Sequence, residues 1–287
     1  MQLGGTGIWS GQLRYGDAGA VSEAAAELDE LGYDALWIPD VGGDVLGAIE
    51  TLLGATSRTT IATGILNIWM HTPEEIAARR ASWSDDWKVR FLLGLGVSHA
   101  PLIDHNNPGR YAKPYSKMVE YLDGLDAAAV PWPAETRVLA ALGPRMLGLA
   151  RDRAAGAHPY FVTPEHVAVA RETMGAAALI AVELAVVIDR DPSTARATAR
   201  RHTAIYTTLP NYTNNLRRFG YGDDDFASAG SDRLVDAVVA WGDLDAISAR
   251  VRAMRDAGAD HVCIQVIRSD DDVPRADWRE LAATLLP

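Results

Sequence analysis

Short apolar runs alternate with amphipathic segments along the 287-residue chain. Apolar residues that recur every three or four positions indicate helices, whereas runs that are apolar throughout indicate strands buried on both faces. Eight such runs occur, and a segment with helical periodicity follows each of them. We therefore predict eight strands, over residues 3–9, 33–39, 59–70, 89–96, 136–142, 156–162, 177–189 and 260–267.

Polar residues mark where the predicted helices begin. Thr72 precedes Pro73 and stands three residues before Glu75, which is the pattern of a capping box. We expect the helix that starts there to continue as far as Trp87. Asp191 is the predicted cap of the helix that follows the seventh strand.

The alternation of strands and helices predicts one domain, residues 1–287, with a (β/α)8 TIM-barrel fold. A doubly wound open sheet is the competing architecture, and it usually carries a GxGxxG turn after its first strand. The N-terminal stretch GGTGIWSGQ contains glycines but not that spacing. The barrel is therefore the favoured fold.

Two segments are longer than a minimal barrel needs. One follows the fourth strand, residues 101–114, and includes Asn106 and Asn107; the other follows the seventh strand, residues 202–230. Long loops after barrel strands lie over the catalytic face, so both segments are lid candidates. The alternative for the second segment is a helical decoration at the periphery.

The composition narrows the choice of partners. With 27 Lys+Arg against 38 Asp+Glu, the formal net charge is −11, and no basic stripe is present, so we expect no nucleic-acid partner. No apolar window reaches about 18 residues, so we expect no membrane span. The N-terminus lacks a signal-peptide pattern, and the single cysteine, Cys263, suits a cytoplasmic protein without disulfides.

Catalytic residues of barrels lie at the carboxyl ends of the strands, which narrows the search for chemistry. The seven histidines show no ligand spacing, so we expect no catalytic metal. The run from Gly96 to Ala100 differs from a nucleophile elbow because alanine replaces the second glycine. Ser98 is therefore not favoured as a nucleophile.

Glycines at strand ends suggest close approach of a ligand. Gly64 interrupts the third predicted strand, where a glycine often marks a bulge, although it also serves in tight packing. Gly143 precedes Pro144 after the fifth strand, and Thr163 opens a second helix after the sixth. The free N–H groups of such helix starts bind phosphate, but the same residues are also ordinary caps, so both interpretations stand.

Several segments together resemble the bacterial luciferase-like superfamily: YDALWIPD, ATGILNIWMHTPEEIA, RFLLGLGVSHAPL, LAALGPRMLGLARDRAAGAHPYFVTPEH and VVIDRDPSTARATAR. The similarity spans residues 4–266. Within the superfamily, the chain looks most similar to actinobacterial oxidoreductases that use coenzyme F420, a deazaflavin. The resemblance implies a TIM barrel, a small-molecule substrate and, as in many relatives, a homodimer.

The resemblance also implies which residues form the cofactor site. It implies a non-prolyl cis peptide between Gly64 and Ile65, in a bulge that supports the central ring, and it places Asp40 beside the ring. The implied rim of the fourth strand consists of Gly96, Val97, Ser98 and His99. The implied contacts of the phosphate-bearing tail are Leu142, Gly143, Arg145, Tyr160, Phe161 and Thr163.

The chemistry that the resemblance implies is hydride transfer between the deazaflavin and a small organic substrate. Asp40 and His99 are the implied proton-transfer residues, with Tyr115 and Tyr160 as further candidates. The chain departs from many flavin-dependent relatives after the second strand, where residues 41–43 are Val-Gly-Gly rather than histidines. Two alternatives therefore stay open: an FMN-dependent monooxygenase and a barrel that binds the cofactor without catalysis.

Overall fold

A computed structural model describes residues 3–105 and 108–286. Parallel strands close into an eight-stranded barrel with flanking helices, which confirms the predicted fold. Of the loop predicted after the fourth strand, Asn106 and Asn107 lie outside the described residues. The strands are β1 Thr6–Trp9, β2 Ala35–Ile38, β3 Thr60–Thr63, β4 Leu66–Asn67, β5 Phe91–Gly96, β6 Arg137–Leu139, β7 Gly156–Ala157, β8 Leu179–Ile188, β9 Val239–Gly242 and β10 His261–Val266.

Helices lie between the strands in chain order. The predicted caps are present: the Thr72 hydroxyl accepts from the Glu75 N–H in a capping box, and Asp191 accepts from the N–H groups of Ser193 and Thr194. The helices are α1 Gln12–Tyr15, α2 Ala18–Leu31, α3 Val45–Ala55, α4 Pro73–Ala81, α5 Asp85–Arg90, α6 Ala100–Ile103, α7 Pro114–Ala127, α8 Pro144–Arg153, α9 Pro164–Met174, α10 Pro192–Tyr206, α11 Pro210–Arg217, α12 Asp223–Phe226, α13 Asp232–Val238, α14 Leu244–Asp256 and α15 Arg275–Leu285.

The barrel consists of β1, β2, β3, β5, β6, β7, β8 and β10, and it closes where β10 pairs with both β1 and β8. Side chains that point inward alternate along the strands, as the pleat requires. They form a cluster of their own inside the barrel, separate from the larger core between barrel and helices. Cys263 is a buried member of the inner cluster.

The third predicted strand, residues 59–70, is two strands rather than one. β3 pairs with both β2 and β5, but the short β4 pairs only with β5. The break falls at the Gly64–Ile65 peptide, which is cis, as the family resemblance implies. The chain therefore leaves the β2 side of the ladder at Gly64 and continues along β5 alone.

The start of the fourth strand was predicted two residues too early, and the helix before it was predicted as one piece. Helix α4 ends at Ala81, and a second helix, α5, begins after Ser84, whose hydroxyl accepts from the Trp87 N–H. Arg90 ends α5 and is buried, where its guanidinium donates to the Asp86 carboxylate and the Leu53 carbonyl. An apolar pattern alone does not separate a helix that ends in a buried arginine from the strand that follows it.

A ninth strand position was not predicted. β9 pairs with the last four residues of β8, from Ala185 to Ile188, while β7 pairs with the first two. The apolar residues from Leu234 through Val239 have helical spacing, so nothing in the pattern marks where α13 ends and β9 begins. β9 lies beside the barrel strand and does not take part in closing the barrel.

Gly94 sits where β3 and β5 approach most closely. Its N–H donates to the Thr63 hydroxyl, and that hydroxyl donates to the Gly94 carbonyl, at 2.9 and 2.8 Å. A Cβ at this position would lie 1.9 Å from the Thr63 carbonyl oxygen, which belongs to backbone and has no room to move. The wall of the barrel therefore requires glycine here.

We expect Gly94→Ala to lower the free energy of unfolding by about 3 kcal/mol or more, because two barrel strands must separate to admit the methyl group. Chemical denaturation followed by circular dichroism measures this. Gly148→Ala in α8 is the matched control, since a Cβ there has no neighbour within 4 Å and alanine favours helix. Equal effects of the two changes would contradict the close approach.

Candidate active site

The broken third strand forms a ledge at the carboxyl end of the barrel, which consists of the Gly64–Ile65 peptide and the Ile65 side chain. Trp9 Nε1 donates to the Gly64 carbonyl at 2.9 Å and holds the peptide from the β1 side. The half-buried Ile65 side chain lies over Gly96, where a Cβ would approach its atoms to 2.5 Å. Two predicted ring-contact residues, Gly64 and Gly96, are thus brought together by the structure.

The His158 side chain lies beneath the ledge and is held by Trp37 and the Ala181 carbonyl. Its ring stacks on Trp37 with centroids 4.3 Å apart and planes 8° apart. Nδ1 lies 2.8 Å from the Ala181 carbonyl, which only accepts, so Nδ1 carries the proton. Burial lowers the pKa of His158 to about 4, so the imidazole is neutral under the ledge at pH 7.

Asp40 fixes the far side of the ledge. One carboxyl oxygen, Oδ2, accepts from the Asn67 backbone N–H at 3.0 Å and from His71 Nε2 at 2.9 Å. The other, Oδ1, is buried without a hydrogen-bond partner among the described residues. Because the Asp40 side chain has no exposed surface, it holds the strand end in position rather than facing the open mouth of the barrel.

His71 belongs to this site, although the sequence analysis does not select it. The imidazole side chain is 18% exposed and reaches Asp40 from the segment after β4. The residues that follow Asp40 after the second strand are Val41 and two glycines, so no histidine is available there. Here the imidazole beside the Asp40 carboxyl comes from the neighbouring strand instead, which residue spacing within one loop cannot reveal.

Side chains from other segments donate hydrogen bonds to the backbone carbonyls of the predicted rim after the fourth strand. The Val97 carbonyl accepts from Trp69 Nε1 at 2.7 Å. Ser98 has a positive φ of 53°, and its carbonyl accepts from the Tyr111 hydroxyl and from Asn211 Nδ2. The rim is therefore connected to both of the long segments that follow barrel strands.

His99 is the rim residue with free hydrogen-bonding capacity. It is half-buried, its ring packs against Tyr212 with centroids 4.9 Å apart, and its Nδ1 has no partner among the described residues. Burial lowers the pKa of His99 to about 4. At pH 7 the side chain is therefore neutral, and it can hold a hydroxyl or carbonyl group more readily than it can release a proton.

The predicted tail contacts fall into two groups. Gly143 is the N-cap residue of α8. Two residues later, the exposed Arg145 lies over the Tyr115 ring at 4.4 Å. Phe161 and Thr163, in contrast, are almost completely buried. Leu142 lies between the groups, half-buried, and its carbonyl accepts from Arg218 at 3.2 Å.

The segment after the seventh barrel strand covers the Phe161 side chain. Residues 202–206 finish α10, and α11, α12, a 3-10 turn and α13 follow. From α11, Tyr212 packs against Phe161 with centroids 5.5 Å apart, and Asn211 reaches the Ser98 carbonyl at 3.2 Å. This segment thus lies over the strand ends, where the sequence analysis placed a lid candidate.

Glu183 is a buried acid inside the barrel that the sequence analysis misses. Oε2 accepts from the Phe161 N–H at 3.3 Å, and Oε1 is buried with no partner among the described residues. Burial raises the pKa of Glu183 to about 8. A lone acidic residue in the middle of an apolar strand, ELAVV after LIAV, is the only sequence signal, and it does not say which face of the strand is polar.

Tyr160 links the barrel mouth to the long segment. Its hydroxyl donates to Gln265 Oε1 at 2.7 Å and, with that proton committed, accepts from the Tyr206 hydroxyl at 2.8 Å. The Tyr160 ring lies 5.5 Å from Trp9, which holds the ledge. Burial is the main cause that raises the pKa of Tyr160 well above its usual 10, so the phenol keeps its proton at neutral pH.

The family model described as luciferase-like monooxygenase matches residues 5–261, which is most of the chain. The chain belongs to this family. Among curated proteins, no sequence matches.

Solved structures of the luciferase-like fold superpose over nearly the whole chain. An F420-dependent secondary alcohol dehydrogenase in complex with an F420-acetone adduct has a TM-score of 0.74 at 13% identity, with 98% of each chain covered. The F420-dependent tetrahydromethanopterin reductase of Methanopyrus kandleri has 0.76 at 17%, with 99% of each covered. The oxygenating constituent of 3,6-diketocamphane monooxygenase from Pseudomonas putida, in complex with FMN, has 0.73 at 16%, covering 99% and 97%. At these identities the likeness concerns the fold.

Within residues 3–105 and 108–286, no three His, Cys, Asp or Glu side chains are grouped so that they could hold a metal ion. In the same part of the chain, every helix is too short or too polar to cross a membrane.

The raised pKa of Glu183 predicts how stability depends on pH. Between about pH 5 and pH 8 an unfolded chain loses this proton while the folded chain keeps it, so the contribution of Glu183 to stability falls as pH rises through that window. We expect Glu183→Gln to match the parent protein near pH 5 and to exceed its free energy of unfolding at pH 8 by on the order of 3 kcal/mol.

Urea denaturation at pH 5 and pH 8 measures this difference. Glu172→Gln, on the exposed face of α9, is the control and should change the free energy of unfolding little at either pH. A gap between Glu183→Gln and the parent protein that stays constant across this range would contradict the raised pKa.

Proposed function

We propose that this chain is an F420-dependent oxidoreductase that transfers a hydride between the deazaflavin and a small organic substrate. The observation that carries the proposal is the ledge at the barrel mouth, held by Trp9 from one side and by Asp40, through Asn67, from the other. A flat ring needs a flat, rigid support of this kind. The sequence resemblance to F420-dependent oxidoreductases supports the choice of cofactor.

The residues present fit such a group. A Cβ at Gly96 would fill the space that the Ile65 side chain occupies, so only glycine lets Ile65 lie back against the strand end. Ile65, Gly64, Gly96 and Val97 would support the ring, and Asp40 would keep the support in place. For the tail, the accessible residues are Leu142, Gly143 and Arg145, together with the first N–H groups of α8.

Phe161 would reach the tail only after α11 moves, since Tyr212 of that helix packs against its ring. α11 begins at Pro210, and the segment that carries it ends near Gly230, which has a positive φ of 115°. The proposal therefore includes a displacement of α11 when the tail enters, in keeping with the lid role expected for residues 202–230.

When bound, the deazaflavin supplies the hydride chemistry. The chain supplies orientation, exclusion of water and a hydrogen-bonding group for the substrate oxygen. His99 is the residue in position for that task, because its Nδ1 is free and it lies at the half-buried rim. As a neutral imidazole it would accept the proton of a substrate hydroxyl, or donate a hydrogen bond to a carbonyl.

An FMN-dependent monooxygenase on the same barrel is the second candidate. It is favoured by the FMN complex among the similar structures, with a TM-score close to those of the two F420 enzymes. It is disfavoured by the sequence after Asp40, which lacks the histidines that many flavin-dependent relatives carry there.

Cofactor titration separates these candidates. We expect the purified protein to bind F420 at micromolar concentration and FMN at least tenfold more weakly, as measured by fluorescence quenching and calorimetry. Gly96→Ala should weaken F420 binding by about tenfold, because the added methyl group pushes Ile65 into the space of the ring. Gly148→Ala is the control again, and tight binding of FMN without F420 would replace the proposal by the second candidate.

Two substitutions should distinguish a residue that supports the cofactor ring, Asp40, from a residue that takes part in proton transfer, His99. Asp40→Ala frees the Asn67 N–H, so cofactor affinity should fall. His99→Phe keeps a ring against Tyr212, so cofactor affinity should stay within about twofold while hydride transfer to ketones, enones and secondary alcohols slows by about a hundredfold. Stopped-flow measurement of cofactor oxidation state gives the rates. Unchanged turnover in His99→Phe would remove His99 from the chemistry.

A further inference from the structure

Residues 207–230 connect the end of α10 to α13, and we call them the strap. They include α11, α12 and the 3-10 turn Ala227–Ala229. The strap packs against Phe161, and its side chains donate hydrogen bonds to the carbonyls of Ser98 and Leu142 at the barrel rim. In this position it closes part of the surface that the proposed function assigns to the cofactor tail.

Apolar packing holds the strap closed. Leu209, Tyr212 and Leu216 are buried in one cluster with Phe161. Tyr212 meets Phe161 edge to face, with ring centroids 5.5 Å apart and planes at 73°. Lifting α11 would return these side chains to water, so the closed position is the favoured one in the free protein.

The polar contact between α11 and α9 opposes closure. Asn215 is 4% exposed, and neither its amide nitrogen nor its amide oxygen has a hydrogen-bond partner among the described residues. Its amide lies near His166 of α9, whose two ring nitrogens are likewise buried without a partner in the described part of the chain. The His166 ring also packs edge to face on Phe219 of the strap, with centroids 5.7 Å apart. These polar atoms therefore lose water when the strap closes and gain no hydrogen bond in return.

Backbone strain is concentrated in the strap and at the residues it touches. Ser228 and Ala229, near its end, have φ of 51° and 64°, in the left-handed region that residues other than glycine seldom occupy. Two residues that α11 contacts, Ser98 and Phe161, have φ of 53° and 57°. Strain of this kind persists only while the surrounding contacts enforce it, and it is typical of ligand clamps and switch regions.

We propose that the strap is an autoinhibitory lid, which is closed in the free protein and opens without unfolding of the barrel. Opening returns Asn215 and His166 to water and relieves the strain at Ala229, which offsets part of the cost of exposing Tyr212. A ligand that needs Phe161 binds only the open form, so its apparent affinity is reduced by the fraction of molecules that are open. In this last step the inference rests on the proposed function, which assigns Phe161 to the cofactor tail.

Hydrogen exchange of the full chain without cofactor, followed by mass spectrometry, tests the opening directly. We expect the amides of α11 to exchange about tenfold faster than those of α3, which packs against α2 and β3. Exchange of α11 as slow as that of α3 would overturn the proposal, because a strap that opens by itself cannot be protected as well as a helix of the barrel layer.

Two substitutions should change the exchange of α11 in opposite directions. Asn215→Leu replaces unpaired polar atoms by an apolar side chain of similar size, so α11 should exchange about fivefold more slowly. Asn211→Ala removes the hydrogen bond to the Ser98 carbonyl, so α11 should exchange about threefold faster. Asn214→Leu, at the exposed position beside Asn215, is the control and should leave the rate unchanged.

Exchange that is unchanged or faster in a folded Asn215→Leu variant would overturn the opposing role of the polar contact. Asn211 is exposed, so Asn211→Ala leaves the buried packing of α11 intact. Unchanged exchange in Asn211→Ala would therefore overturn the proposal even where Asn215→Leu fails to fold. Circular dichroism and thermal melts show whether each variant is folded.

Calorimetric titration of the same variants with F420 separates this inference from the proposed function. Asn215→Leu should weaken F420 binding by the factor by which it slows the exchange of α11, and Asn211→Ala should strengthen it correspondingly. If F420 binds equally well to both variants and the parent protein, the autoinhibitory role is overturned and the proposed function stands. If neither F420 nor FMN binds while the exchange of α11 responds as expected, the proposed function fails and the opening of the strap stands.

Discussion

The Asp40 side chain provides the hydrogen bond that connects β4 to the β2 side of the barrel, where backbone pairing between the strands is interrupted. β2 and β3 pair normally as far as Ile38 and Thr63, but beyond the Gly64–Ile65 break the short β4 pairs only with β5. The Asp40 carboxyl then accepts from the Asn67 N–H, on the side of β4 that has no strand partner. The ledge exists because a barrel strand turns away from its neighbour, and it stays in position because Asp40 spans the gap.

This constraint explains how the site divides into fixed and adaptable parts. The ledge is bounded by backbone and by side chains that are buried and hydrogen-bonded, among them Trp9 and His158. The opposite side of the mouth is built from rings on α10 and α11, which are joined to the barrel rim by hydrogen bonds from Asn211 and Arg218. The ledge is therefore held by buried side chains, whereas the opposite side depends on how α10 and α11 pack against the rim.

The barrel was predictable from the sequence because every barrel strand is buried on both faces and so appears as an apolar run. Gly64 alone indicated a bulge or tight packing in the third predicted strand, and the cis peptide there was implied by the family resemblance, since the apolar pattern continues from Thr59 to Met70. β9 was missed because apolar residues continue into it from α13, and α5 was predicted as part of α4 because Trp83 and Trp87 continue the helical spacing. The sequence marks His71 only as a histidine near a strand end and Glu183 only as a lone acid in an apolar strand. Each acquires its role from a residue elsewhere in the chain, the Asp40 carboxyl for one and the Phe161 N–H for the other.

The pairing of β9 has a consequence for how the luciferase-like barrel can vary. The chain leaves β8 through α10. After α11, α12 and α13 it returns as β9, which pairs with the last four residues of β8. Because barrel closure uses the pairing of β8 with β10, the excursion begins and ends on one strand without contributing to the ring. Residues 207–238 can therefore differ in length and sequence without changing the pairings that close the barrel.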